Sequence, residues 1–151
     1  MADITVERFI AAPPATVFAS AADVHHWALV VPAITRTEVL TSGPVGKGTR
    51  FRETRRLFGR EVTEELEFIR YEPPRHYTIG CDHHGCRYRT GFDFHEARGG
   101  TRLVMTFHVQ PLTVMAKVMG FLMKPMMKKM GEMCAQDLDA VKAHVEKSRV
   151  T

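Results

Sequence analysis

The sequence predicts an α+β fold: a curved antiparallel β-sheet of about seven strands, two short helices, and a long C-terminal helix laid over the sheet. Three observations point there. The middle of the chain runs through alternating segments joined by short turns, none long enough to hold a crossover helix. The last third loses that alternation and repeats its apolar residues every three or four positions. The 151 residues, 44% hydrophobic and 25% charged, suffice for one core and not two, so residues 1–151 are expected to form a single domain.

The elements follow in order. Ile4, Val6 and Ile10 share one parity and Thr5 and Glu7 the other, giving a first strand over 4–10. Pro13 and Pro14 end it, and Pro14 suits the first turn of a helix carrying Val17, Phe18, Ala21 and Ala22. Asp23 is the expected N-cap of a second, shorter helix with His25, His26 and Trp27, closed before Pro32. Strands are then predicted at 34–41, 49–58, 61–71, 75–83, 86–95 and 101–109. Glycine- or proline-bearing turns separate them, among them Gly59, Pro73-Pro74, His84-Gly85 and Gly99-Gly100.

In the last third, Leu112, Met115, Met119, Leu122, Met126, Met130 and Met133 recur at helical spacing, and Cys134, Leu138, Val141 and Val145 continue the stripe. One helix over 112–147 would be roughly 50 Å long at about 1.5 Å per residue, beyond the roughly 40 Å diameter of a domain this size. A break at Gly120 and Pro125 is therefore expected, leaving a short helix near 112–123 and a long one after it.

Seven of the nine methionines fall in this segment: Met115, Met119, Met123, Met126, Met127, Met130 and Met133. Methionine adapts to irregular space, which suits a pocket for an apolar ligand between helix and sheet. Plain core packing, a dimer face and a membrane-facing surface are the competing readings of the same stripe. The opposite wall is expected from Tyr77, Ile79 and Cys81, from Tyr88, Thr90, Phe92 and Phe94, and from Leu103, Met105, Phe107 and Val109, each set sharing a parity. The expected ligand contacts are Trp27, Tyr77, Ile79, Tyr88, Phe92, Met105, Phe107, Met115, Met119, Met123, Met126 and Met130, with Trp27 also a packing anchor. Glu53 and Arg55 share the parity of Phe51 and Leu57, as Glu65 and Glu67 share that of Ile69 and Tyr71. These charges are expected to meet water where the strands project beyond the covering helix.

Several short patterns run in a fixed order over nearly the whole chain. They are Ile10-Ala11-Ala12-Pro13 with Val17 and Phe18; Asp23 with Trp27 and Pro32; Gly46-x-Gly48-Thr49-x-Phe51; Tyr71-Glu72-Pro73-Pro74; and Leu138-x-x-Val141-Lys142-x-x-Val145-Glu146. Together they resemble the START-like (SRPBCC, Bet v 1-like helix-grip) superfamily, in its bacterial polyketide cyclase/dehydrase and lipid transport-like branch. The resemblance implies a β-α-α-β6-α grip around a hydrophobic cavity. It says less about chemistry, because that superfamily holds carriers, sensors and enzymes. The expected function is binding or transport of a small hydrophobic or amphipathic ligand: a lipid, an isoprenoid or a polyketide-like aromatic. The alternatives are a cyclase, dehydratase or isomerase using general acid/base catalysis, and a dimer or interaction module built on the methionine-rich helix.

Other chemistries find little support. Cys81, Cys86 and Cys134 are an odd set without a disulfide framework. The run Cys81-Asp82-His83-His84-Gly85-Cys86 holds good zinc ligands, but strand neighbours face opposite ways and no second ligand pair accompanies it. His76, His83, His95, His108, Tyr77, Tyr88, Asp93 and Glu67 are candidate acids or bases, yet no spacing among them demands joint action, and no catalytic residue is assigned. Neither a dinucleotide or phosphate loop nor a nucleophile elbow is present, so no cofactor and no metal is expected. The net charge of +4 is modest, and among Arg50, Arg52, Arg55, Arg56 and Arg60 only Phe51 and Phe58 are interleaved, with no known reading element, so a solvated, charged strand pair is expected rather than a nucleic-acid surface. With no leader pattern and no spanning stretch, the expectation is a cytoplasmic monomer or homodimer without stable membrane insertion, though transient membrane contact fits the methionine stripe.

Overall fold

A computed structural model describes residues 2–57, 59–83 and 85–150, so Phe58, the last residue of the expected strand 49–58, and His84 of the expected turn lie outside it. The strands are β1 (Ala2–Ile10), β2 (Ile34–Val39), β3 (Arg50–Leu57), β4 (Arg60–Glu72), β5 (His76–His83), β6 (Cys86–Ala97) and β7 (Gly100–Pro111). All neighbours pair antiparallel in the order β1-β7-β6-β5-β4-β3-β2. From β2 to β7 the sheet is a meander, and β1 closes against β7. β1 and β2 stand at opposite edges, so the sheet is open rather than rolled into a barrel. This is the α+β helix-grip arrangement.

Between β1 and β2, helix α1 (Pro14–Ala21) and the single turn of α2 (Trp27–Val30) carry the chain from one sheet edge to the other. They pack over a continuous aromatic core. Phe18 meets Tyr71, Tyr77 and Phe94 edge-on at 5.4, 5.7 and 5.0 Å, and Trp27 meets Phe51 at 5.2 Å. Trp27 Nε1 and Tyr77 Oη both donate to the Ala21 carbonyl, at 2.9 and 2.8 Å. That satisfies the polar atom each ring takes into the core. Asp23 stands, as expected, at the start of the short helical stretch, the 3-10 turn Val24–His26 that leads into α2, but its side chain caps no backbone N–H and instead pairs with His26 Nδ1 at 2.6 Å.

The C-terminal segment divides near the expected break. Helix α3 (Val114–Leu122) gives way to a 3-10 turn at Lys124–Met126, and α4 (Met127–Val150) follows. Pro125 has no N–H and so cannot continue the α3 ladder. The start of α3 is fixed by Thr113, whose Oγ1 accepts from the Ala116 N–H at 3.0 Å. The hairpin tip between β5 and β6 lies against it: Leu112 donates to the Gly85 carbonyl at 2.7 Å, and Gly85 turns with φ of 75°. A Cβ there would sit 3.0 Å from Thr113 Oγ1. Glycine is thus required both by the left-handed backbone and by the close approach.

α4 is tied down at its far end. Leu138 and Val145 are buried, and the β1 end is held by polar contacts: Arg8 to Asp139 at 2.7 Å, Lys142 Nζ to the Phe9 carbonyl at 2.5 Å, and the Ala11 N–H to Glu146 Oε2 at 2.9 Å. Among the described residues no helix is long and apolar enough to cross a membrane.

Candidate functional site

The near ends of α3 and α4 stand away from the sheet, and the space beneath them has a volume of about 960 Å³. That falls within the range of about 300–1,000 Å³ typical of small-molecule sites. Strand alternation supplies the sheet wall: Tyr77 and Ile79 from β5, Tyr88, Thr90 and Phe92 from β6, and Leu103, Met105, Phe107 and Val109 from β7. Met115, Met119 and Met123 come from α3 and its end, Met126 from the 3-10 turn, and Met130 and Met133 from α4. Trp27 borders the space while remaining packed on Phe51. All twelve residues expected at a ligand are brought to this one space. Cys81 does not border it and Cys86 does.

The charges near β3 depart from expectation. Arg55 donates from Nε to Glu53 Oε1 and from Nη1 to Asp137 Oδ2 of α4, both at 2.9 Å. The side chains of Arg55, Glu53 and Asp137 are only 19%, 13% and 16% exposed, so they form a largely buried ion triad in the cavity wall rather than a solvated group at a projecting strand end. Asp137 reaches Arg55 from α4, so the ion pair links that helix to β3. Two carboxylates against one guanidinium leave the triad with one formal negative charge. Burial pulls the Arg55 pKa down, but the charges of Glu53 and Asp137 and their hydrogen bonds outweigh it and leave the pKa raised. Burial also raises the Asp137 carboxyl above its ordinary value; Arg55 works against that rise and Glu53 adds to it.

On β4 the parity differs as well. Val62, Glu64 and Leu66 line the cavity, and Glu65 and Glu67 face away. The pairing of β4 with β5 slips between Phe68 and Arg70, so the parity read back from Ile69 and Tyr71 is reversed before this bulge. Burial, reinforced by the neighbouring Cys86, pushes the Tyr88 phenol up to about 12. The Cys134 thiol is pushed up to about 11, first by burial and then by Asp137. Both groups are therefore neutral donors near pH 7, and the thiol is a poor nucleophile.

The candidate histidines lie elsewhere. His76 and Thr78 alternate with cavity-facing Tyr77 and Ile79 and so occupy the other face, where His76 bonds Asp93 at 2.8 Å and Thr78 at 2.5 Å. His108 pairs with Asp3, also away from the cavity. Among the described residues, no histidine borders the space. The β5–β6 register puts Cys81 opposite Tyr88 and Cys86 opposite His83, so the two thiols do not face one another. Among the described residues, no cluster of three or more His, Cys, Asp or Glu is placed to hold a metal ion.

Comparison with known proteins agrees with this architecture. The family model described as polyketide cyclase / dehydrase and lipid transport matches residues 1–146. No curated protein matches the chain. Among solved structures, the START superfamily protein from Mycobacterium smegmatis is similar at 17% identity and a TM-score of 0.76, over 96% of this chain and 97% of that one. The Zhui aromatase/cyclase from Streptomyces sp. R1128 is similar at 17% identity and a TM-score of 0.73, over 99% of this chain and 96% of that one. The di-domain ARO/CYC StfQ of the steffimycin biosynthetic pathway is similar at 14% identity and a TM-score of 0.80, over 99% of this chain and 52% of that one. The chain thus spans about half of StfQ. At these identities the likeness is one of fold.

Proposed function

Because the chain belongs to the polyketide cyclase/dehydrase and lipid transport family of the START-like helix-grip superfamily, we propose that it binds or carries a small hydrophobic or amphipathic molecule in its cavity. A lipid, an isoprenoid or a polyketide-like aromatic has the required chemistry. One observation carries this reading: a space of about 960 Å³ is walled mainly by methionine, aromatic and aliphatic side chains, with Glu53, Arg55 and Asp137 paired in its wall and Glu64, Lys117 and Lys124 at other points of its border. Burial of an apolar ligand there gains about 25 cal/mol for each Å² removed from water. The unbranched methionines can repack around different shapes.

In this reading residues 1–151 act as one cytoplasmic ligand-binding domain, and the twelve residues from Trp27 to Met130 contact the ligand. Its polar end meets the Arg55, Glu53 and Asp137 triad or the Tyr88 hydroxyl. Mild solvent extraction of the purified protein, mass spectrometry and titration of the recovered molecule test it. A recovered apolar compound that rebinds saturably supports the proposal. A protein that carries none and binds none of a broad apolar panel overturns it.

A second reading, a cyclase, dehydratase or isomerase, is favoured by one feature: Glu53 and Asp137 border the cavity with Arg55 orienting both. A carboxyl with a raised pKa, held by a fixed partner, suits proton transfer to or from a bound ligand. Asp137→Asn should then stop turnover of the bound compound while leaving its binding within a few-fold. Unchanged turnover in that variant rejects the reading.

A further inference from the structure

The helix that covers the cavity also carries a concentrated set of uncovered apolar side chains. Val114, Val118 and Leu122 of α3 are 78%, 55% and 64% exposed, and Phe121 is 72% exposed. Positions four apart stack along one side of a helix, so the first three form a stripe. None of those three borders the cavity, whereas Met115, Met119 and Met123 do. Only Ala116 of α3 is buried. Scattered exposed apolar residues are ordinary, but a contiguous set on one helix marks a surface that meets something apolar.

Three further features indicate what that is. The lid residues Met115, Met119 and Met123 both line the cavity and remain half or more uncovered, or nearly so, which places the cavity mouth along α3. From Ala97 to Gly131 the sequence contains no Asp or Glu. In the same region Lys117, Lys124, Lys128 and Lys129 are exposed, and Lys124 Nζ lies 5.9 Å from the Phe121 ring centroid. A symmetric contact through α3 would bring Lys117 and Lys124 of both copies together, with Glu132, beyond the turn, the first carboxylate that follows them in the chain. The interface of an anionic bilayer accepts both features, taking the apolar stripe among its acyl chains and the ammonium groups among its phosphates.

We propose that α3 and the lysine-bearing turn after it form a reversible docking surface for an anionic lipid bilayer, which brings the cavity mouth against a store of apolar ligand. The transfer role rests on the cavity-binding reading above; the docking itself does not.

Flotation of the full chain with phosphatidylcholine vesicles, with and without phosphatidylglycerol, tests it. Binding is expected to the anionic vesicles, to weaken as salt is raised, and to fall at least about tenfold in Val118→Glu/Leu122→Glu. Lys128→Glu should weaken it selectively on anionic vesicles. Neither change touches the cavity wall, so uptake of a fluorescent fatty acid from detergent-free solution should stay within a few-fold of the parent in both. Absence of vesicle binding by the parent chain overturns docking, as does a concentration-dependent dimer that the double variant dissolves while vesicle binding persists. Vesicle binding without fatty-acid uptake would sustain docking and count against the cavity reading alone.

Discussion

Arg55 has two carboxylate partners in an enclosed site, one of them on a helix 82 residues further along the chain. Removing the cation leaves Glu53 and Asp137 facing each other without compensation, so Arg55→Met should destabilise the protein by about 3–5 kcal/mol in urea unfolding. The triple change Glu53→Leu/Arg55→Met/Asp137→Leu removes all three charges and should recover most of that loss. Glu146 acts differently. Its hydrogen bond from the Ala11 N–H, opposed by burial and assisted by Lys142, holds its carboxyl below the ordinary value. The folded pKa is then lower than the unfolded one, so the stabilisation is present above the unfolded pKa and fades as pH falls through the folded one. Glu146→Gln should flatten the acid side of the thermal-midpoint curve and leave its shape near neutrality unchanged. Most of the apolar wall was legible from parity and helical spacing, but Cys81 and Phe94 share the wall parity without bordering the cavity, Phe94 being packed in the core against Phe18. The triad was not: parity placed Glu53 and Arg55 inward, but their closure depends on Asp137 crossing over from α4, which no local pattern encodes. Glu64 was hidden for a local reason, the bulge near Ile69 that reverses strand parity.

At the scale of elements, α4 grips at one end and stands off at the other. Leu138 is 1% exposed where α4 meets the core, and truncation there leaves a hole that close-packed neighbours fill only in part. Leu138→Ala should cost about 2–5 kcal/mol. The two-part cover was readable in the sequence because Pro125 cannot sustain a helix and an unbroken one would overrun the fold. The beginning of α3 was less so. It depends on the Thr113 cap and on the Gly85 hairpin tip lying beneath it, a contact between segments distant in sequence. Asp23 holds the expected position at the start of the Val24–His26 turn, but its carboxylate pairs with the His26 imidazole in place of a backbone N–H.

For the whole molecule, the open seven-stranded sheet and its helical cover leave a cavity whose mouth runs along an exposed apolar helix. Core aromatics fill the space under α1 and α2, whereas methionines border the space under α3 and the start of α4. In the proposed reading, binding draws mainly on the second end, with Trp27 and Tyr77 belonging to both core and cavity wall. Filling the second end should abolish binding without unfolding the first. Met130 borders the cavity from α4, and Met130→Trp would add bulk there. The most direct measurement is thermal unfolding of the parent chain and Met130→Trp against rising concentrations of a fatty acid, farnesol and a hydroxylated anthraquinone. A ligand that binds only the folded state at one hundred times its Kd adds about 2.7 kcal/mol, so the parent midpoint should climb with at least one compound while the variant stays flat. A parent midpoint unmoved by every compound, or an equal climb in both proteins, would contradict a ligand-binding cavity.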